Sequence, residues 1–336
     1  MSATAEEKIT TLVHPGEPRK RLRIGEWAAS LGMLWVLGAL VITASALNPR
    51  FLTPGNLANM LSQNAPVGII AIGMTFVIIA GGFDLSVAAV LAIGGVTYSA
   101  LSYTMPPVPA ILITMVLGAV LGGINAFLIT RVKVNAFIAT LATASLFSGF
   151  TLLVTNSKPI TLAPGGYDFL VDVKILGLSL SVWLLAILAA AGWFVLSKTV
   201  YGQGIYAIGG NNEAARLAGL RVNTLRASTY ILTSLLAALS GIVLASVIGI
   251  GQPAVAPAVT LNSIAIVIIG GTSLLGGEGA MWRTVVGILI FGTIKNLFDI
   301  LAFPQAMQEV ALGVILLAAV SLDAGIRSRR RRAGRA

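Results

Sequence analysis

Several residue types that support chemistry or cross-links are absent from this sequence or nearly so. It contains no cysteine, which excludes disulfide bonds, thiolate metal ligands and a thiol nucleophile. Its single histidine, His14, lies in a polar tail, where a lone imidazole has no partner for a metal site. No Gly-Lys pair occurs, so the phosphate-binding motif GxxxxGK[ST] is missing. We therefore expect no catalytic residue, no metal site and no cofactor bound by this chain.

Charge is scarce as well. Only 10% of the 336 residues are charged and 57% are hydrophobic, with a mean hydropathy of +0.93. A soluble domain carries about 25% charged residues, and one bilayer crossing takes about 20 apolar residues. The composition predicts an all-α integral membrane protein with about ten transmembrane helices, some of them interrupted. The apolar runs lie at 27–47, 66–80, 85–101, 108–130, 136–155, 180–197, 225–250, 259–271, 283–300 and 305–322.

The positions of the basic residues predict the orientation. With ten crossings and a cytoplasmic N-terminus, 18 of the 22 Lys and Arg residues fall in cytoplasmic segments and three in external ones. This bias matches the positive-inside rule and explains the net charge of +10 without nucleic acid. The basic C-terminal tail is expected to contact anionic membrane lipid. The predicted organisation is a cytoplasmic tail (1–26), a transmembrane domain (27–322) with a cytoplasmic loop (198–224), and a second cytoplasmic tail (323–336).

The loop at 198–224 contains a short helix pattern. Asn211 and Asn212 are suitable N-cap residues, Glu213 falls in the first turn, and Gly219 is placed to end the helix. The intervening residues AARLA have mostly small side chains, which would let the helix sit closely in a groove of another protein. From the pattern alone, a docking helix and an ordinary helix at the membrane surface are equally supported.

The segment GGFDLSV (81–87) interrupts two apolar runs. Asp84 is placed to interact with the N-terminal end of the helix that follows, where free backbone N–H groups favour a carboxylate. Alternatively, a charge at a helix break in the membrane indicates a transport pathway or a mobile joint. The preceding VIIAGG (77–82) has a weak echo in VIIGG (267–271), as expected if the chain contains an internal repeat.

The segment NSIAIVIIGGTSLLGGEG (262–279) is rich in glycine and predicts a flexible polar turn on the cytoplasmic side. Since the GxxxxGK[ST] motif is missing, these glycines are expected to permit helix breakage and close packing. Within the spans, Lys295 and Asp299 are four residues apart and could form an ion pair. The remaining polar residues in the spans could line a route for a hydroxylated solute or join helices: Gln63, Asn64, Asn125, Asn135, Asn262 and Asn296.

Four stretches in order resemble the ribose-type, or monosaccharide-type, permeases of bacterial ATP-binding-cassette (ABC) importers. They are GGFDLSVAAV (81–90), NAFIATLATASLFSG (135–149), YGQGIYAIGGNNEAARLAGLRV (201–222) and NSIAIVIIGGTSLLGGEGAMW (262–282), and the similarity covers about 56–325. Two positions depart from the family pattern, with Asn262 where Asp is usual and Ala88 where Gly is usual.

The resemblance implies a multi-pass subunit of the bacterial inner membrane that imports a sugar and performs no catalysis itself. Its implied partners are a cytoplasmic ATP-binding cassette subunit, a periplasmic sugar-binding protein, and a second permease in a homodimer or heterodimer. The coupling positions are Asn211, Asn212, Glu213, Ala214, Ala215, Arg216 and Gly219. The candidate pathway or gating positions are Asn64, Asp84, Ser86, Asn125, Phe137, Asn262, Gly270, Gly271, Thr272 and Ser273.

Two other functions are compatible with the sequence. An ion-coupled secondary transporter would need ionisable groups in mid-membrane, and Asp84, Lys295, Asp299 and Glu309 are the ones that come near. An ABC permease for branched-chain amino acids is the second, because those permeases are distant relatives of the sugar group.

Overall fold

The structure is a computed structural model that describes residues 32–165, 167–255, 257–315 and 317. The predictions for the two tails and for the start of the first span concern residues outside these ranges. The helices, in order, are α1 (Gly32–Leu47), α2 (Pro54–Ile79), α3 (Val87–Leu101), α4 (Pro107–Thr130), α5 (Ala136–Thr155), α6 (Phe169–Asp172), α7 (Leu180–Lys198), α8 (Val200–Gly210), α9 (Asn212–Leu217), α10 (Val222–Ile248), α11 (Ala258–Ile269) and α12 (Met281–Ile300), followed by a final helix at 305–315.

Six of the described helices are long and apolar enough to cross a membrane: α2, α4, α5, α7, α10 and α12. The helices α1, α3 and α11 are apolar but shorter. The mostly helical, multi-pass architecture is thereby confirmed, whereas ten crossings and two cytoplasmic ends stay predictions. The short apolar run at 66–80 is the second part of the 26-residue α2, but the run at 259–271 remains a helix of only 12 residues.

The core forms where α10 packs against α2, α3 and α4 through small residues. A Cβ atom on Gly94 would lie 2.6 Å from the carbonyl oxygen of Ala238, and one on Gly241 would lie 2.2 Å from that of Leu91. Glycine at these crossings lets the helix backbones approach closely, which strengthens packing inside a membrane. These contacts hold α3 beside the middle of the long helix α10.

The helices α2 and α11 end in the same way. Gly81 and Gly271 both have a φ of 78°, the left-handed conformation that glycine adopts without strain. After each, the next N–H bonds back to the third-last helical carbonyl, from Gly82 to Val77 at 2.9 Å and from Thr272 to Val267 at 3.2 Å. The sequence echo at these two places therefore corresponds to two helix ends of matching geometry.

The strands are four two-residue segments between the helices. β1 (Ile160–Thr161) pairs with β4 (Ile250–Gly251), and β2 (Lys174–Ile175) pairs with β3 (Leu178–Ser179), both antiparallel. They add short non-helical pieces to the predicted all-α fold. Because β4 directly follows α10, the β1–β4 pair fixes the position at which the non-helical segment leading to α11 begins.

Candidate functional site

The loop predicted to contact a partner contains the six-residue helix α9. The side chain of Asn211 accepts hydrogen bonds from the N–H groups of Glu213 and Ala214, both at 3.0 Å, and so caps the helix. Gly219 follows the helix with a φ of +84°, which ends it. Ala215 is buried, whereas Asn212 and Ala214 lie exposed on the rest of the surface of α9. The short helix is where the pattern placed it, and its docking role stays a prediction.

The exposed face of α9 combines one ion pair with one apolar side chain. Arg216 donates to both carboxylate oxygens of Glu213, at 2.6 and 3.2 Å. This hydrogen bond and the charge of Arg216 lower the pKa of Glu213. Leu217, at the end of the helix, is 78% exposed. An isolated exposed leucine at the tip of a helix is suited to insertion into a partner's surface, and the sequence interpretation did not single it out.

Glycines connect the base of this loop, at the end of α8, with the two helix breaks that follow α2 and α11. We call the meeting point of Gly81, Gly209, Gly276 and Gly277 the glycine junction. The N–H of Gly277 donates to the carbonyl of Ile79 at 2.8 Å. A Cβ on Gly209 would lie only 1.7 Å from that same oxygen, so the end of α8 touches the end of α2 through backbone alone.

A second connection runs along α10. Arg226 donates to the side chain of Asn212, in α9, at 2.7 Å. One turn further along α10, the hydroxyl of Tyr230 donates to the carbonyl of Phe83 at 3.3 Å. Phe83 directly precedes Asp84, so the helix α9 and the break between α2 and α3 are connected by a single turn of one rigid helix.

Three of the predicted pathway residues lie together in a buried polar chain. The carboxylate of Asp84 accepts from the hydroxyl and the N–H of Ser86, at 2.6 and 2.9 Å. Asn125, on α4, donates to the Ser86 hydroxyl at 2.8 Å and accepts from Thr143, on α5, at 2.7 Å. All four side chains are at most 2% exposed. These hydrogen bonds connect α3, α4 and α5 with the helix break. Thr143 is the one residue of the four that the sequence interpretation did not predict.

The predicted residues after α11 form part of the turn that follows it. Gly270 packs against α12, since a Cβ there would lie 2.6 Å from the carbonyl oxygen of Arg283. Gly271 supplies the left-handed turn. Thr272 is buried, and the N–H of Ser273 donates to the carbonyl of Glu278 at 3.0 Å, which closes the loop. The hydroxyl of Tyr206, on α8, holds the far end of this loop through the carbonyl of Gly279 at 2.9 Å.

The other predicted pathway residues lie elsewhere. Asn64 is buried and donates to the carbonyl of Met60, one turn earlier in α2. Phe137 is 54% exposed on the outside of α5. Asn262 lines a separate cleft of about 670 Å³ between α11, α12 and the final helix. The structure therefore divides the predicted pathway residues among five places.

The predicted ion pair between Lys295 and Asp299 is wrong. Among the described residues, Lys295 forms no ion pair, and Asp299 instead accepts from the side chain of Gln308 at 3.0 Å. The physical reason is that the final helix folds back beside α12 and presents an amide to this carboxylate. Spacing within one helix cannot anticipate a partner from the next.

The sequence could indicate some of the missed residues but not others. Thr143 and Tyr230 are polar side chains in apolar helices, which is a usable signal. Gly209 is one of 37 glycines, and nothing local distinguishes it. Its close approach to α2 depends on how α8 is placed by the whole fold.

Long apolar helices, paired helix breaks and an exposed capped helix define a multi-pass membrane permease. The family described as branched-chain amino acid transport system / permease component matches residues 56–320. The chain belongs to this family.

Several similar curated proteins are named as permeases for ribose or L-arabinose. The ribose import permease protein RbsC of Bacillus subtilis is 41% identical over 308 residues, covering 91% of this chain and 96% of the relative. The same-named protein of Haemophilus influenzae is 35% identical over 306 residues, covering 90% and 95%. The L-arabinose ABC transporter permease protein AraH of Azospirillum brasilense is 34% identical over 314 residues, covering 93% of each chain. No solved structure matches.

Proposed function

We propose that this chain is the membrane-spanning subunit of an ABC importer that moves a monosaccharide or a related polyol into the cell. The ribose and arabinose permeases among its relatives, which match over about nine-tenths of the chain, support the sugar class. The transport is driven by ATP hydrolysis in a separate subunit, and this chain supplies the route.

The observation that carries the proposal is the short physical path from α9 to both helix breaks. Arg226 and Tyr230 connect α9 with the carbonyl of Phe83, and the glycine junction connects the end of α8 with the ends of α2 and of the loop after α11. A partner that moves α9 would therefore displace both breaks together. This is the arrangement that alternating access needs, because two discrete conformations must be biased from one side.

The topology and the assembly belong to the same proposal. Both termini and α9 lie in the cytoplasm, the chain crosses the bacterial inner membrane about ten times, and two permease subunits form a homodimer or heterodimer. The 18-to-3 distribution of basic residues supports the orientation. A cytoplasmic ATP-binding cassette subunit docks on α9, and a periplasmic sugar-binding protein delivers the solute on the opposite side.

The docking of the ATPase on α9 can be tested by co-purification. Tagged protein is extracted from native membranes in mild detergent, and a co-purifying subunit with a GxxxxGK[ST] motif is identified by mass spectrometry. Leu217→Ser and Ala214→Glu should reduce its recovery, because the first removes the exposed apolar contact and the second adds bulk and charge on a small face. Leu176→Ser is the matched control, since Leu176 is 87% exposed in a different loop.

Three results would contradict the proposal. Failure to recover any such ATPase in several detergents would remove the ABC assignment. Loss of uptake on collapsing the membrane potential and pH gradient, with ATP maintained, would favour the ion-coupled alternative. Competition of D-ribose or L-arabinose uptake by L-leucine would favour a branched-chain amino acid permease, which the family description also names.

A further inference from the structure

The segment between α10 and α11 is non-helical at its described residues, 249–255 and 257. At its start, a Cβ on Gly251 would lie 2.6 Å from the carbonyl oxygen of Gly95. At its end, Thr260 contacts the backbone of Ala88 and Leu85 at 3.3 and 3.5 Å. From Gly95 to Ala88 the helix α3 advances about 10 Å. The segment therefore runs beside α3 for much of the length of that helix.

The depth of this segment follows from the packing of α3. Gly94 contacts Ala238 and Leu91 contacts Gly241, and both of these partners are near the middle of the span α10. Non-helical backbone at such depth is found only where it is buried in protein or lines a water-filled cavity. The described residues 252–255 and 257 are therefore expected to face either protein or water.

A cavity of about 380 Å³ lies beside this segment. Its walls come from α3, α5 and the chain around 255–261, and they include Leu85, Ala88, Ser145, Ser148, Val255 and Thr260. Its volume falls within the range of about 300–1,000 Å³ that is typical of small-molecule sites. Leu85, which follows Asp84 in the chain, is one of its lining residues, so the cavity lies next to the helix break.

The chemistry of the walls favours an uncharged solute with several hydroxyl groups. Alanine and leucine side chains provide a smooth apolar surface for C–H groups, while the hydroxyls of Ser145, Ser148 and Thr260 can exchange hydrogen bonds. The Ser148 side chain is half-buried and forms part of the cavity wall. None of the described lining residues is ionisable, so a zwitterionic amino acid would find no counter-charge.

We propose that this cavity between α3, α5 and residues 255 and 257–261 is a subsite on the translocation route, where an uncharged polyhydroxylated solute contacts Ser145, Ser148 and Thr260. The inference rests on the proposed transport function and names the part of the chain that touches the solute. The contacts are few and the site has no charge, so the solute binds weakly and passes on, as transport requires. The departure at Ala88 places a methyl group in the wall of this subsite.

The absence of cysteine makes a direct accessibility test possible. Ser148→Cys and Leu146→Cys are compared in the assembled transporter in lipid nanodiscs, without nucleotide and after trapping with ATP and vanadate. Leu146 is on the same helix, 68% exposed and outside the cavity. The probe is a membrane-impermeant, cationic methanethiosulfonate. In at least one of the two states, we expect the Ser148→Cys variant to react about tenfold or more faster than the Leu146→Cys variant. The reason is that the reactive thiolate requires water.

A filling experiment provides the second readout. Ala144→Leu adds three carbons inside the cavity, whereas Ala142→Leu adds the same atoms on the exposed side of α5. We expect Ala144→Leu to reduce ATP-dependent uptake of D-ribose or L-arabinose about tenfold or more, because a subsite filled by protein cannot admit solute. Ala142→Leu should leave the uptake unchanged. Equal labelling of positions 146 and 148 in both states, or equal uptake by the two leucine variants, would overturn the subsite while leaving an active permease. Absence of ATP-dependent uptake in the unmodified complex would instead contradict the proposed function.

Discussion

Replacement of Gly209 by alanine should break the contact between α8 and α2. Gly209 lies in a helix with ordinary backbone geometry, so alanine is conformationally acceptable there. Its Cβ, however, would lie 1.7 Å from the carbonyl oxygen of Ile79 and 2.5 Å from the nitrogen of Gly277. Real Cβ contacts are essentially never shorter than 3.0 Å. The backbone must therefore move, and the hydrogen bond between Gly277 and Ile79 is lost.

The expected loss of stability on Gly209→Ala combines two destabilising effects and one stabilising effect. Overpacking a tight contact costs about 1–3 kcal/mol, and leaving the buried groups of the lost hydrogen bond unpaired costs about 1–3 kcal/mol. Alanine gains about 1 kcal/mol over glycine from helix propensity. Gly209→Ala should therefore be about 2–6 kcal/mol less stable than a control that has only the gain.

The control is the adjacent residue. A Cβ on Gly210 would meet nothing within 4 Å, and Gly210 is the last residue of the same helix. The apparent Tm of detergent-purified protein, followed by size-exclusion chromatography after heating, should fall for Gly209→Ala and hold or rise for Gly210→Ala. Equal Tm values and equal uptake for the two variants would refute the importance of the junction.

Three further outcomes are expected. Asn125→Leu should lower the free energy of unfolding by about 1–3 kcal/mol, since it removes the two buried hydrogen bonds that Asn125 forms with Ser86 and Thr143; Phe137→Leu on the exposed side of α5 should leave the apparent Tm unchanged. Gly219→Ala should weaken ATPase recovery in co-purification, because its φ of +84° costs about 1–2 kcal/mol for a residue with a Cβ. The Glu213–Arg216 pair lowers the pKa of Glu213, so its contribution to the stability of α9 is present above the ordinary pKa of 4.5 and is lost as pH falls through the lowered value. The recovery of the ATPase should accordingly be constant from neutral pH down to about pH 5. If the recovery falls at lower pH, Glu213→Gln should abolish that fall.

The long helices were predictable because each contains a long apolar run, although the apolar run at 66–80 covers only the second part of α2. That helix begins at Pro54, and its first part contains amides that lower the apparent hydropathy. In the structure those amides have partners: Asn56 exchanges hydrogen bonds with Asn296 on α12 at 2.9 and 3.0 Å. A pattern along one segment does not show that a polar side chain is paired with another segment.

The candidate site was predictable where it depends on local signals. The cap of α9 by Asn211 and its end at Gly219 follow from neighbouring residues, and the structure has both. The cavity beside Thr260 could not be predicted in this way, because its walls combine α3 and α5 with a segment that lies more than 100 residues further along the chain. Such a site is determined by the packing of α3 against α10, which in turn depends on glycines that look ordinary in the sequence.

The matching ends of α2 and α11 suggest why the glycine junction is built from backbone. Side-chain contacts have several rotamers and can yield without moving the chain, whereas a hydrogen bond such as that from Gly277 to Ile79 transmits displacement directly. The loop after α11 and the end of α2 therefore have to move as one body when α8 moves. The residues that follow Gly81 lead to Asp84 and to the proposed solute cavity. A shift of α9 by the proposed ATPase would therefore change the shape of the translocation route without any charged group moving across the membrane.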